Sequence, residues 1–176
     1  MNNPVLLENL RCIPDFPKKG INFRDVTTLY KNPECMKIMV DEMYELYKDK
    51  GITKIVGIES RGFVMAAALA TKLGAGVVLA RKPGKLPATG IKESFSKEYG
   101  VDTVEMHIDS IDENDVVLIH DDLLATGGTA KATLKLVNHF HPKKVYMNFI
   151  IEITDEGLHG RDCLEKDVEV TTLMVI

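Results

Sequence analysis

Apolar positions along the chain fall into two alternating periods. In residues 32–50, Met36, Met39, Val40, Met43, Leu46 and Tyr47 recur at the three- and four-residue spacing of one helix face. Asn32 suits the N-cap of that helix and Pro33 its first turn. After Gly51, the β-branched run KIVGIES (54–60) predicts a strand, and FVMAAALATKL (63–73) predicts a helix closed by Gly74. VVLA (77–80) predicts a second buried strand. Val104, Met106 and Ile108 alternate as a half-buried strand does, and DVVLIH (115–120) reads as another apolar strand. A helix carrying Ala130, Leu134 and Val137 follows, and KVYMNFII (144–151) and VEVTTLMVI (168–176) complete the set.

Strands alternating with helices predict an α/β fold with a mainly parallel central sheet flanked by helices, because parallel neighbours need a crossover that covers the sheet face. Ligands of such sheets bind beyond the carboxyl ends of the strands. Two loops at such ends are chemically loaded: residues 60–62 and 121–129. Residues 81–100 show little apolar period, and a loop of that length in a compact domain is expected to be a lid.

Length and composition narrow the class. The 176 residues suit one domain, and 45% hydrophobic with 27% charged residues is ordinary for a globular chain. Twenty-two Lys plus Arg against 26 Asp plus Glu give a net charge of −4, so no polyanion-coating surface is expected, neither for nucleic acid nor for a membrane. That charge is uneven: residues 81–97 hold five Lys or Arg against one Glu, a local +4 that leaves −8 on the remainder. No apolar run is long enough to span a membrane and the N-terminus lacks the pattern of a secretory signal, so a cytoplasmic protein is expected. Cys12, Cys35 and Cys163 are widely spaced and read as reduced and structural; no zinc or other protein-built metal site is expected.

The strongest chemical signal is VVLIHDDLLATGGT (116–129), a buried strand, two adjacent carboxylates and a small-residue turn opening a helix. Ala125, Thr126, Gly127, Gly128 and Thr129 let the backbone approach closely, so amides, a helix N-terminus and two threonine hydroxyls make a dianion cradle. The run lacks the spacing of a nucleoside triphosphate P-loop and of a dinucleotide site. Asp121 and Asp122 are placed to accept hydrogen bonds from two vicinal hydroxyls, so cradle and acids together suit a ribose 5-phosphate. Acids that only cap a helix and glycines that only turn the chain give the same pattern.

This segment resembles the 5-phosphoribosyl pyrophosphate (PRPP) motif of the type I phosphoribosyltransferases, and HDDLLATGGT is similar to the form found in adenine phosphoribosyltransferases. The likeness extends in order through PDFPKKGINFRD (14–25), GIESRGF (57–63), RKPGKLP (81–87), KEYG (97–100), the PRPP motif, FIIEI (149–153) and LHGRDCL (158–164). It implies a single domain with a base-recognition hood over residues 1–30, a lid over 81–100 and the PRPP motif over 116–129. It further implies transfer of the 5-phosphoribosyl group of PRPP to adenine, Mg2+ bound mainly through PRPP, pyrophosphate and water, and a homodimer.

The resemblance also implies roles for residues. Ser60, Arg61 and Gly62 match the family's pyrophosphate loop, which tends to hold a non-proline cis peptide, and Arg81, Lys82 and Lys85 add cations to the diphosphate. Glu98 matches the glutamate that exchanges a proton with the purine, and Tyr99 the tyrosine that packs on the substrates. Phe23 would stack on the base with Leu123 on the other face, while backbone groups of Asn22 and Arg24 read its edge. Ala125 stands where 6-oxopurine enzymes generally carry an aspartate, which favours adenine and leaves the base proton to Glu98. His120, Asn22, Phe95 and Ala66 to Ala68 depart from the family pattern. Another purine as acceptor, or a non-catalytic sensor of PRPP or purines, are the alternatives. The few residues before PDFP hold no basic recognition helix, which weighs against the sensor.

Overall fold

In the computed structural model, residues 2–96, 101–154 and 158–176 are described. The chain opens with a small hood: helix α1 (Pro4–Asn9), strands β1 (Arg11–Ile13) and β2 (Phe23–Asp25) paired antiparallel, and helix α2 (Thr27–Tyr30). The Asn32 side chain caps α3 (Pro33–Tyr47) by accepting from the Glu34 and Cys35 amides, satisfying donors that a helix start otherwise leaves open. Then come β3 (Lys54–Ile58), α4 (Gly62–Leu73), β4 (Gly76–Ala80), β5 (Gly90–Ser96), β6 (Val101–His107), β7 (Val116–Leu124), α5 (Gly128–Asn138), β8 (Lys144–Glu152), a 3₁₀ turn at Gly160–Cys163, and β9 (Glu169–Val175).

Five strands form a parallel sheet in the order β4-β3-β7-β8-β9. The period-2 alternation of the strands sorts side chains onto two faces. Ile55, Leu118, Ile150 and Leu173 join Met39, Met43 and Tyr47 of α3 and Met65 and Leu69 of α4 in one core cluster. Val56, Ile58, Val117, Ile119, Met147 and Phe149 pack with Leu134 and Val137 of α5 and with Val104 and Met106 of β6 in the other. Met39, Met43 and Tyr47 are fully buried, each stabilising by roughly 1.5–3 kcal/mol through removal of apolar area from water. Chain order reverses direction between β3 and β7, which places a crevice beyond the carboxyl ends of those two strands.

Several expectations need correction, and one is that residues 121–129 form a loop, since Asp121, Asp122, Leu123 and Leu124 continue strand β7. The apolar run of β4 predicts burial, yet Val77 and Leu79 are each 41% exposed, because β4 is the sheet edge and one of its faces is incompletely covered. Residues 81–100 are not loop throughout: β5 pairs antiparallel with β6 from Gly90↔His107 to Ser96↔Val101, and both strands pack on α5. Ile108 falls just beyond β6 and is exposed. Among the described residues, no helix is long and apolar enough to cross a membrane.

Candidate active site

The crevice is walled by the turn after β3 on one side and the end of β7 on the other. Gly62 starts α4 so close to β7 that a Cβ there would lie 2.7 Å from the His120 carbonyl oxygen and 3.1 Å from Asp121 Oδ1. That contact brings Arg61 beside the acid pair: Arg61 Nε donates to Asp122 Oδ2, and the guanidinium lies 5.5 Å from the centre of the Phe23 ring. The Phe23 ring is in turn met edge-on by Phe16, with centroids 5.3 Å apart. From α2, the half-buried Tyr30 donates its hydroxyl hydrogen to the Arg61 carbonyl at 3.1 Å. The Glu59–Ser60 peptide is cis.

Burial pushes the Asp121 carboxyl well above the usual carboxylate range, and the neighbouring charge of Asp122 adds to the effect. Burial pulls the Arg61 guanidinium down, but Asp122 and Asp121 outweigh it and its pKa rises, so it stays a cation.

Glu59 organises the opposite wall. Its Oε2 accepts from the Lys82 amide at 2.9 Å and from Arg81 Nε at 3.2 Å, while Arg81 Nη1 donates to the Lys85 carbonyl at 3.0 Å. The Lys82 amide lowers the Glu59 pKa against the opposing effect of burial, with Arg81 assisting. One Arg81 side chain thus stitches the end of β3 to the segment after β4.

A cleft of about 340 Å³ lies between these walls, lined by residues that include Ser60, Arg61, Arg81, Lys82, Asp121, Asp122 and Thr129. A second, of about 220 Å³, shares Arg61, Asp121, Asp122 and Thr129 and continues along Leu123, Ala125, Thr126, Gly127 and Gly128. Gly127, at φ +78°, turns the chain into α5, and the first intrahelical bond runs from the Lys131 amide to the Gly127 carbonyl at 2.8 Å. The amides before Lys131 in this turn have no acceptor within the helix, the arrangement that binds anions. The Phe95 ring lies against Gly128, where a Cβ would stand 3.0 Å from it.

The crevice therefore collects Ser60, Arg61, Arg81, Lys82, Asp121, Asp122, Leu123 and residues 125–129, and Arg61 links them to Phe23. Asn22 and Arg24 flank Phe23 in the hood. Lys85 is an exposed side chain whose backbone carbonyl, rather than its ammonium group, ties into this region. Glu98 and Tyr99 lie outside the described residues. Sequence reasoning passed over Tyr30, Glu59, Asp102 and Thr103, of which the last three line the larger cleft. Glu59 had a signal, a charge closing the apolar run KIVGIE; Tyr30 had none.

His120 also needs the fold to explain it. It is fully buried, with Nδ1 3.1 Å from Asn148 Oδ1. Asn148 Nδ2 faces Thr171, 2.8 Å from its hydroxyl and 3.4 Å from its carbonyl, which can only accept. Asn148 thus offers its oxygen to His120, so Nδ1 carries the proton and the buried Nε2 is an acceptor without a hydrogen-bond partner among the described residues. Burial pushes the imidazole pKa down to about 4, against the opposing pull of Asn148 and Asp122.

A parallel sheet whose reversal point holds an acid pair, a helix-start turn and arginines has the chemistry to bind a phosphorylated sugar. The chain belongs to the phosphoribosyl transferase domain family, whose sequence profile matches residues 25–167. It is 60% identical over 176 residues to an adenine phosphoribosyltransferase of Phocaeicola vulgatus, covering 100% of both chains. It also resembles the crystal structure of adenine phosphoribosyltransferase from Rhodothermus marinus, with a TM-score of 0.92, 46% identity and coverage of 98% of this chain and 97% of that one. The adenine enzyme of Giardia lamblia, solved in complex with 9-deazaadenine, superposes with a TM-score of 0.92 at 38% identity, over 100% of this chain and 98% of that one.

Proposed function

We propose that this chain is an adenine phosphoribosyltransferase, transferring the 5-phosphoribosyl group of PRPP to adenine N9 and releasing AMP and pyrophosphate, a purine salvage reaction. The observation that carries this reading is the meeting of Arg61, the Asp121–Asp122 pair and the Thr126–Thr129 turn in one continuous crevice. The 60% full-length identity to a protein of that name supports it.

In this reading the amides and hydroxyls of residues 125–129 hold the 5-phosphate, Asp121 and Asp122 hold the ribose 2- and 3-hydroxyls, and Ser60, Arg61, Arg81, Lys82 and Lys85 meet the diphosphate. The bond from C1 to the diphosphate oxygen breaks, N9 bonds to C1 from the opposite face, and the base proton leaves through Glu98. Phe23 and Leu123 sandwich the purine, backbone groups of Asn22 and Arg24 read its edge, and Tyr99 closes over the substrates. Phe23 and Asp122 are both engaged by Arg61 here. Arg61 therefore exchanges these partners for diphosphate oxygens when PRPP arrives.

In this reading Mg2+ is held mainly through PRPP and pyrophosphate oxygens and water, in the cleft that the Asp121–Asp122 pair lines. Bound there, Mg2+ would neutralise charge on the departing diphosphate. A cytoplasmic homodimer is part of the same reading. Its test is turnover with PRPP and Mg2+ and, separately, adenine, hypoxanthine, guanine and xanthine. Nucleotide is expected from adenine alone, and equal turnover of hypoxanthine would move the acceptor assignment to 6-oxopurines.

A further inference from the structure

The 3₁₀ turn Gly160–Cys163 sits directly behind the anion cradle, in a contact with no room to spare. A Cβ on Gly160 would lie 2.3 Å from the Ala125 carbonyl oxygen and 3.0 Å from the Gly127 amide nitrogen. The reverse contact is as close: a Cβ on Gly127 would lie 2.4 Å from the Gly160 carbonyl oxygen and 2.3 Å from Cys163 Sγ. Burial raises the Cys163 pKa, keeping its thiol protonated, and Sγ donates to the Gly160 carbonyl at 3.0 Å, with the Thr126 carbonyl 3.6 Å away.

This turn is bolted to the sheet through one residue. Arg161 Nε donates to Glu152 Oε1 at 2.9 Å, Arg161 Nη2 pairs with Glu152 Oε2, and Arg161 Nη1 donates to the Val170 carbonyl at 2.7 Å. Glu152 ends β8, is 8% exposed, and is held below its ordinary pKa first by the Arg161 hydrogen bonds, burial opposing. A two-pronged guanidinium–carboxylate pair fixes orientation as well as distance. The chain of contacts runs from β8 and β9 through Arg161 to Gly160 and so to residues 125–127.

We infer that Gly160, Arg161 and Glu152 are positioning residues for phosphate binding: the Arg161–Glu152 pair presses the Gly160–Cys163 turn against the back of the cradle and sets the amides of residues 125–129 at the spacing a phosphate dianion requires. None of the three needs to touch substrate. The inference rests on the proposed PRPP reaction and deepens it, since it says what holds the 5-phosphate subsite in shape.

The test compares wild type with Arg161→Lys, Glu152→Gln and Gly160→Ala, measuring thermal midpoint, KM for PRPP, KM for adenine and calorimetric affinity for ribose 5-phosphate. In variants that keep a cooperative melt, KM for PRPP should rise about tenfold and ribose 5-phosphate affinity should fall in parallel, the scale of a lost charged hydrogen bond. KM for adenine should change less than about twofold, since Asn22, Phe23 and Arg24 of the base site lie in the hood and Leu123 is held within β7, ahead of the turn. Arg161→Lys keeps the charge and loses only the fork, so it remains informative if Gly160→Ala fails to fold. Unchanged ribose 5-phosphate affinity in folded variants, or an equal rise in both KM values, overturns the inference. Wild type that binds ribose 5-phosphate but makes no AMP instead sinks the proposed reaction while leaving the affinity comparison to decide this one.

Discussion

Lowering the pH from 7 to 5 should destabilise the fold through His120, which is buried in the neutral form. Its pKa is about 4 in the folded protein against an ordinary 6.5, so the unfolded chain binds the proton more readily between those values. Stability from this group is complete above pH 6.5 and is lost as the pH falls towards 4. The full difference is about 3 kcal/mol, and the portion lost between pH 7 and 5 is about 2 kcal/mol. For a chain of this size that corresponds to a fall in thermal midpoint of roughly 4–8 °C. Asp25 does not act in this window: Thr27 and Arg11 hold it at about 2 against burial, so its contribution is lost only below its ordinary value of 3.8. Asp121, whose pKa is raised, works in the opposite sense and gains stability as the pH falls. The assay is therefore a difference, thermal melts of wild type and His120→Gln from pH 7 to 5, with the imidazole followed by NMR. Wild type should lose the extra stability and the variant should not. Equal slopes, or titration of His120 near 6.5, would refute the burial argument.

Other substitutions test the crevice. Thr129→Val removes a hydroxyl from the cradle and should raise KM for PRPP about tenfold, measured by steady-state kinetics; an unchanged KM removes Thr129 from the phosphate site. Tyr30→Phe deletes the hydroxyl bonded to the Arg61 carbonyl and should lower kcat/KM for PRPP by about threefold to tenfold with little change in KM for adenine, whereas wild-type kinetics would make Tyr30 a packing residue only. Glu98→Ala should lower kcat about a hundredfold or more with substrate KM values nearly kept, the size of a lost general acid–base group; wild-type turnover would assign the proton to another group.

The central sheet is legible in the sequence because its strands are sorted between two covered faces, as Ile55 against Val56 and Leu118 against Ile119 show. A short apolar run does not say whether both faces are covered, and for that reason VVLA reads as buried while Val77 and Leu79 are not. Strand β5 escapes detection for a physical reason. Ile91 and Phe95 pack against the core but Glu93 stands between them, and its charge is met by Lys135 of α5 at 2.8 Å, a partner 42 residues away. The cradle and acid pair are readable because their chemistry is contiguous in the chain. Tyr30 acts through a residue that only folding brings near, so its type and spacing carry no message, while Glu59 is marked as a charge closing an apolar run but finds its partners Arg81 and Lys82 only in the fold. His120 looks like a departure until Asn148 and Thr171 are seen to organise it.

The central claim is that this crevice carries a phosphoribosyl group from diphosphate to a purine nitrogen. Its most direct measurement is the stoichiometry of products from PRPP, adenine and Mg2+ in wild type and in the Asp121→Asn, Asp122→Asn double variant. AMP and pyrophosphate should appear in equal amounts with wild type, and AMP formation should fall about a hundredfold or more when the acid pair is neutralised. Pyrophosphate and ribose 5-phosphate released without AMP, or undiminished AMP from the double variant, would contradict it.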